Sequence, residues 1–276
     1  MDGSQAQMAG RQPSFGERLV RDSARAFGSC FAYVDIIAIL LVVAIGFLVF
    51  SKNLFIDNAV VFHDEYVYKV SADHKIDATV VIDRKLASQI PNRLFLSIYG
   101  VGSYFGSNYY VFAQLLNVAF WSIGLLALYR IAALSELSSA QSLAFLGAAA
   151  LLPLSVYTKY FMPESLFFAM FCVSVYALIK GIRNKNYVHV FFAGLIVGLM
   201  YFVKPHALAL AFANAWFLMF CSGPVRLNIA FGSGAVLAIG AGKIVFAMPG
   251  DDSAVGLGVY SEMLDMLAGR LTAYEG

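Results

Sequence analysis

The run Tyr33–Phe50, YVDIIAILLVVAIGFLVF, decides the fold. It carries one charge, Asp35 near its start, and nothing but apolar residues and one glycine after it. At about 1.5 Å rise per residue, a helical run of this length covers most of a hydrocarbon core of roughly 30 Å. Comparable runs recur at Tyr109–Leu128, Ala140–Val156, Leu166–Ile179, Val188–Phe202, Ala207–Phe220 and Leu227–Phe246. They are continuous rather than alternating with a period of two, which excludes a membrane barrel. The expected fold is all-α, a polytopic transmembrane helical bundle of about seven spans. Composition agrees, with 60% hydrophobic and only 13% charged residues, against roughly 25% charged in a soluble domain.

Charge between the runs sets the expected topology. Residues 1–31 are polar and carry Arg11, Arg18, Arg21 and Arg25. They read as a tail followed by an amphipathic helix, Phe15 to Phe27, lying on the bilayer surface. Four arginines before the first span predict a cytoplasmic N-terminus. Arg130, Lys180, Arg183, Lys185 and Arg226 then fall in inner segments, and most acids fall in outer ones, so the pattern is self-consistent. The net charge of +2 is therefore topological information rather than a sign of nucleic-acid binding. Cys30, Cys172 and Cys221 show no paired spacing and read as small buried residues, with no disulfide or zinc signature. No cleavable signal peptide is expected before the first run.

Between the first two spans lies the longest polar segment, part of a first extracytoplasmic loop over residues 52–108. It holds Phe62-His63-Asp64-Glu65-Tyr66-Val67-Tyr68, and further on Lys69, Asp73, His74, Lys75, Asp77, Asp83, Arg84 and Lys85. Ala78–Ile82 is ambiguous between strand and helix. After Pro91, the stretch Asn92–Phe105 is tyrosine-bearing and interrupted by Gly100 and Gly102, which suits a short helix in the outer interface. Residues 32–248 form the expected membrane core, and 249–276 an extracytoplasmic segment that reads as the beginning of a further loop or a truncated end.

By this topology three polar clusters share the outer face: His63-Asp64-Glu65, Lys159 to Glu164, and Lys204-Pro205-His206. Each has an ordinary explanation. Lys159 and Lys204 suit snorkelling side chains, Glu164 suits a helix start after Pro163, and His206 suits an interfacial imidazole. Together they have a chemical logic. A polyprenyl-phosphate sugar places its tail in the bilayer and its phosphate at the interface. Cleaving it favours cations near the phosphate, where negative charge grows in the transition state. Arg84, Lys85, Lys159, Lys204 and His206 are the candidates for that role. Transfer to a hydroxyl also requires a general base, for which Asp64 is the candidate. Glu65 would orient Asp64 or assist a metal, with His63, Tyr66 and Glu164 in support. The adjacent carboxylates suit a divalent ion such as Mg²⁺ or Mn²⁺ held partly by phosphate oxygens, and the sequence leaves metal dependence open.

Asp64-Glu65 after the first span, Pro91 before the second, Tyr160-Phe161-Met162-Pro163-Glu164-Ser165-Leu166-Phe167 at the fourth, and Lys204-Pro205-His206-Ala207-Leu208 at the sixth carry a resemblance. The chain resembles the C-type superfamily of polytopic membrane glycosyltransferases. That group includes protein O-mannosyltransferases, aminoarabinose transferases and enzymes that decorate lipopolysaccharide. The resemblance covers roughly residues 33–248. It implies an acidic base in the first outer loop, carried to Asp64, and basic loop residues on the donor phosphate, carried to Arg84 and Lys85. It implies sugar transfer with inversion to a glycolipid, polysaccharide or protein hydroxyl, in a bacterial inner membrane. Two departures stand out. Family members usually continue beyond seven spans, and Lys204 stands where an arginine fork is common. The alternatives are a transporter or flippase for a lipid-linked substrate, and an inactive fragment or partner subunit of a larger glycosyltransferase.

Overall fold

The computed structural model describes residues 15–55, 63–76, 93–221 and 225–246, with side chains over 34–55, 65–73, 93–152, 154–220 and 225–246. Arg84, Lys85, the Ala78–Ile82 piece and the 249–276 segment lie outside the described residues. Every regular element among the described residues is helical. In chain order they are α1 (Phe15–Phe55), α2 (His63–Ile76), α3 (Arg93–Gly100), α4 (Tyr109–Leu134), α5 (Ser139–Ala150), α6 (Glu164–Arg183), α7 (Tyr187–Met200), α8 (Ala207–Cys221) and α9 (Val225–Val245). Two 3₁₀ stretches, Val101–Asn108 and Pro153–Lys159, precede α4 and follow α5.

The chain divides into two compact units, residues 1–41 and 42–276. The described part of the first is the N-terminal portion of α1. The expected amphipathic helix, Phe15 to Phe27, is continuous with the first apolar run: Phe15 to Phe55 is one helix of 41 residues. No proline or glycine pair interrupts it between the arginines and the apolar run, so the sequence supplies no break.

Among the described residues, four helical stretches are long and apolar enough to cross a membrane: Val34–Phe55, Arg93–Leu134, Glu164–Arg183 and Val225–Val245. The second is two pieces rather than one. Gly106, with φ 56° and ψ −120°, breaks it ahead of α4, and only glycine adopts such angles readily. Its remainder, α4, is 26 residues long. α7 and α8 are apolar but only 14 and 15 residues long, about 21–22 Å of helix. The expected third span, Ala140–Val156, is not a single helix. α5 ends at Ala150 after 12 residues, because Leu152 is extended ahead of Pro153. A proline imposes that conformation on the residue before it.

Local chemistry fixes the helix ends. A capping box opens α5, with Gln141 N–H donating to Ser138 Oγ at 3.3 Å and Ser138 N–H to Gln141 Oε1 at 2.9 Å. Glu164 in the first turn of α6 and Lys180 and Arg183 in its last match the helix dipole. The α6–α7 turn is a Schellman motif. Lys185 takes φ 50°, Asn186 N–H reaches Gly181 O at 2.8 Å, and Lys185 N–H reaches Ile182 O at 3.2 Å. Asn186 then caps α7, accepting from Val188 N–H at 2.9 Å.

The closest helix pair is α7 with α9. A Cβ on Gly194 would collide with the Phe231 carbonyl oxygen, and one on Gly234 with that of Phe191. On Gly198 it would lie 2.5 Å from Ala235 O. The Gly194/Gly198 spacing therefore does what small-xxx-small spacing does in bilayers: it brings two backbones into contact. Val190, Ala193, Val197, Met200, Leu227 and Phe231 fill the core around this seam. Large side chains such as Phe212, Trp216, Ile229 and Val236 point outward, as expected of helices in an apolar solvent.

Candidate functional site

The bundle has two distinct ends. At one, Arg183 Nη2 pairs with Glu136 Oε1 at 2.8 Å across the α4–α5 and α6–α7 turns. At the other, α2, α3, the start of α4 and the turn before α8 meet the segment Lys159–Glu164, which leads into α6, and the end of α1 meets the residue before it.

That segment is irregular between the 3₁₀ stretch and α6, so its backbone groups need partners from elsewhere. Glu65 Oε1, on α2, accepts from Phe161 N–H at 2.8 Å, with Glu65 only 3% exposed. Asn117 Nδ2 donates to Tyr160 O at 2.6 Å, and Gln114 Nε2 to Lys159 O at 3.3 Å. The Tyr99 hydroxyl donates to Asn117 Oδ1 at 2.5 Å, which fixes the amide's orientation. One residue earlier, Asn53 Nδ2 of α1 donates to Thr158 Oγ1 at 3.0 Å. The Phe161 ring is fully buried and sits edge-on to Phe95, Tyr99 and Tyr109 at centroid distances of 5.4, 5.5 and 5.3 Å. Such pairs add about 0.5–1.5 kcal/mol each beyond area burial. The segment is thus clamped on both its donors and its acceptors.

The third cluster reaches the same place. Lys204 Nζ is 2.6 Å from Glu164 Oε1, each side chain about a quarter exposed at 25% and 24%. Leu94 N–H donates to Phe202 O at 2.9 Å, tying the start of α3 to the turn that carries Lys204. Tyr201 in that turn lies close enough to Arg93 to feel its charge. Burial pushes the Tyr201 phenol up, and the guanidinium opposes that. Lys204 is therefore a partner of Glu164 and not simply a snorkelling lysine.

The structure brings Glu65, Lys159, Glu164 and Lys204 together at this end. His63 and Asp64 lie in the first turn of α2, immediately before Glu65. Tyr66 points outward at 60% exposed. Lys159 ends the 3₁₀ stretch with its ammonium 5.9 Å from the Tyr160 ring centroid. His206 is exposed beside the Lys204 turn. Among the described residues, no three His, Cys, Asp or Glu side chains gather in a metal-binding group.

Sequence reasoning missed Gln114 and Asn117, the polar residues buried inside the second span. Their signal was available: uncharged amides three residues apart in an apolar helix need internal partners. It also left Lys69 and Asp73 without a role, although they follow Glu65 at four-residue intervals. With this geometry in place, comparison with known proteins adds no relative: no family model, no curated protein and no solved structure matches the chain.

Proposed function

We propose that this protein is an integral membrane glycosyltransferase. It moves a sugar from a polyprenyl-phosphate donor to a hydroxyl of a glycolipid, polysaccharide or protein on the extracytoplasmic side. The observation that carries the reading is the docking of α2 onto the Lys159–Glu164 segment through Glu65 and Phe161. It joins the start of α2 to the segment that begins at Lys159 and runs into the Lys204–Glu164 pair. A lipid phosphate reaches the mouths of membrane helices from the bilayer, and a water-borne acceptor reaches them from outside.

In the proposed reaction Asp64 takes the proton from the acceptor hydroxyl. The oxygen attacks the anomeric carbon, the bond from that carbon to phosphate oxygen breaks, and polyprenyl phosphate leaves with the electron pair. Attack opposite the leaving group inverts the anomeric centre. Lys159, Arg84 and Lys85 stabilise the departing phosphate. Lys204, already paired with Glu164, offers its remaining N–H donors as a point charge. Glu65 acts by holding the segment rather than by touching the sugar.

The same reading takes α1, α4, α5 with its 3₁₀ extension, α6, α7, α8 and α9 as seven crossings. The N-terminus is then cytoplasmic and the site end extracytoplasmic, with α2 and α3 as loop helices at the interface. The short α7 and α8 fit by local thinning of the bilayer, at modest cost. Arginine and lysine at the Glu136/Arg183 end support that orientation. The test is incorporation of radiolabel from polyprenyl-phosphate sugars into glycolipid, polysaccharide and protein fractions of bacterial membranes with and without the protein. Protein-dependent incorporation is expected, and its absence across hexosyl and pentosyl donors would remove the reading.

A further inference from the structure

The end of the bundle that bears the Glu136–Arg183 pair has a charge balance of its own. Arg130, Lys180, Arg183, Lys185 and Arg226 fall there, and among the described residues of the unit 42–276 the one acid beside them is Glu136. Packing brings these cations onto neighbouring elements. A Cβ on Gly181, near the end of α6, would lie 2.6 Å from Val190 Cγ2 at the start of α7. Gly194, the eighth residue of α7, meets Phe231, the seventh of α9, and one helical turn on Gly198 meets Ala235. The two helices therefore run parallel with their starts level. Lys185, just before α7, and Arg226, second in α9, stand at the same level of the bundle.

Two of the five have work inside the chain. Arg183 is taken by Glu136, and the Lys180 ammonium sits 5.4 Å from the centroid of the Tyr176 ring. The Lys185 ammonium and the Arg226 guanidinium are exposed, and neither has an ion-pair or hydrogen-bond partner among the described residues. Lys185 also holds φ 50°, the left-handed position at a helix end that glycine takes at no steric cost. Apolar surface begins at once beyond both cations. Tyr187 and Val188 follow Lys185, and Val225 and Ile229 flank Arg226, with Val188 60% and Val225 70% exposed. Cation first and exposed apolar side chain next, along the helix axis, is the order of phosphate and acyl chain in a phospholipid. A soluble polyanion would meet the cations and leave those apolar side chains uncovered.

We propose that the α6–α7 turn and the start of α9 form a binding surface for an anionic phospholipid. Lys185 and Arg226 pair with its headgroup, and Tyr187, Val188, Val225 and Ile229 lie against its acyl chains. The surface is at the opposite end from the candidate site, and the proposal stands whether or not the protein transfers sugar. Each lysine or arginine near an anionic membrane surface strengthens association by about 5-fold.

The test is native mass spectrometry of the full chain in neutral detergent, titrated with dioleoyl phosphatidylglycerol or dioleoyl phosphatidylcholine. The wild-type protein binds its first phosphatidylglycerol about 5- to 25-fold more tightly than phosphatidylcholine, the range for one to two cations. The double variant Lys185→Gln/Arg226→Gln loses most of that preference. Lys52→Gln, which removes the same charge at the opposite end, keeps it. Lys185→Gly suits the left-handed backbone, so its Tm stays level or rises while the preference falls, which separates lost binding from a damaged turn. Water-soluble glycerophosphoglycerol, the same headgroup without chains, does not displace the lipid at equal concentration. Equal affinity for the two lipids, or a preference that survives in the double variant, overturns the proposal. So does a preference lost equally in Lys52→Gln, and displacement by the chain-free headgroup would assign the cations to a soluble anion instead.

Discussion

Replacing Glu65 separates a positioning role from a catalytic one. Its carboxylate is buried and accepts from the backbone N–H of Phe161, itself 1% exposed, at 2.8 Å. Glu65→Ala strands that N–H, at about 1–3 kcal/mol for an unsatisfied buried donor. Glu65→Gln keeps the shape and an acceptor oxygen, and trades a charged hydrogen bond worth about 1.5–3 kcal/mol for a neutral one worth about 0.5–1.5 kcal/mol. The loss is then about 1 kcal/mol. With folded proteins stable by only about 5–15 kcal/mol, both changes are measurable. At roughly 2–4 °C per kcal/mol for chains of comparable size, Glu65→Gln lowers Tm by a few degrees in detergent. Glu65→Ala lowers it by at least as much. Sugar transfer, assayed well below both melting points, falls in proportion to the displaced segment and is largely retained in Glu65→Gln. A Glu65→Gln protein with unchanged Tm and no transfer would refute this reasoning and make Glu65 part of the chemistry. An Glu65→Ala protein identical to wild type in both would refute the clamp.

The glycines give a matched pair of tests. Gly194→Ala forces a Cβ into the Phe231 carbonyl and costs about 1–3 kcal/mol by overpacking, read as a lower Tm. Gly232→Ala meets nothing within 4 Å and raises stability by about 0.5–1 kcal/mol through helix propensity. Asn117→Leu removes the donor to Tyr160 O and the acceptor for Tyr99; it destabilises by about 2–4 kcal/mol, and a Tyr99→Phe/Asn117→Leu cycle shows strong coupling. Glu136→Ala breaks an ion pair whose carboxylate side chain is 82% exposed, and Tm moves by no more than measurement error, because exposed pairs contribute little.

Much of this was legible in the residues. Uninterrupted apolar runs mark the helices, Pro163-Glu164 marks the start of α6, and Gly194/Gly198 marks a helix face suited to close packing, though not its partner α9. What escaped was of two kinds, breaks inside apolar runs and contacts distant in sequence. Pro153 ends α5 in mid-run, yet the surrounding hydropathy hides the break, because a bilayer helix and a bent apolar segment have the same composition. Gly106 similarly divides Arg93–Leu134 by a backbone angle that no hydropathy pattern records. At the site, adjacency of Asp64 and Glu65 suggested a shared role. Helical geometry and burial give Glu65 a backbone partner 96 residues away, which one-dimensional spacing cannot supply. The Lys69/Asp73 spacing was visible, but the Tyr109 ring beside the Lys69 ammonium comes from another helix.

The central claim is that the acidic start of α2 provides the base for sugar transfer, and the direct measurement is the transfer rate of purified Asp64→Asn protein. That change keeps the side chain's shape and removes its basicity. With a radiolabelled polyprenyl-phosphate sugar that the wild-type protein uses, the variant binds donor with unchanged affinity and transfers sugar at least about 100-fold more slowly, the scale of general-base catalysis. Transfer at the wild-type rate would contradict the account.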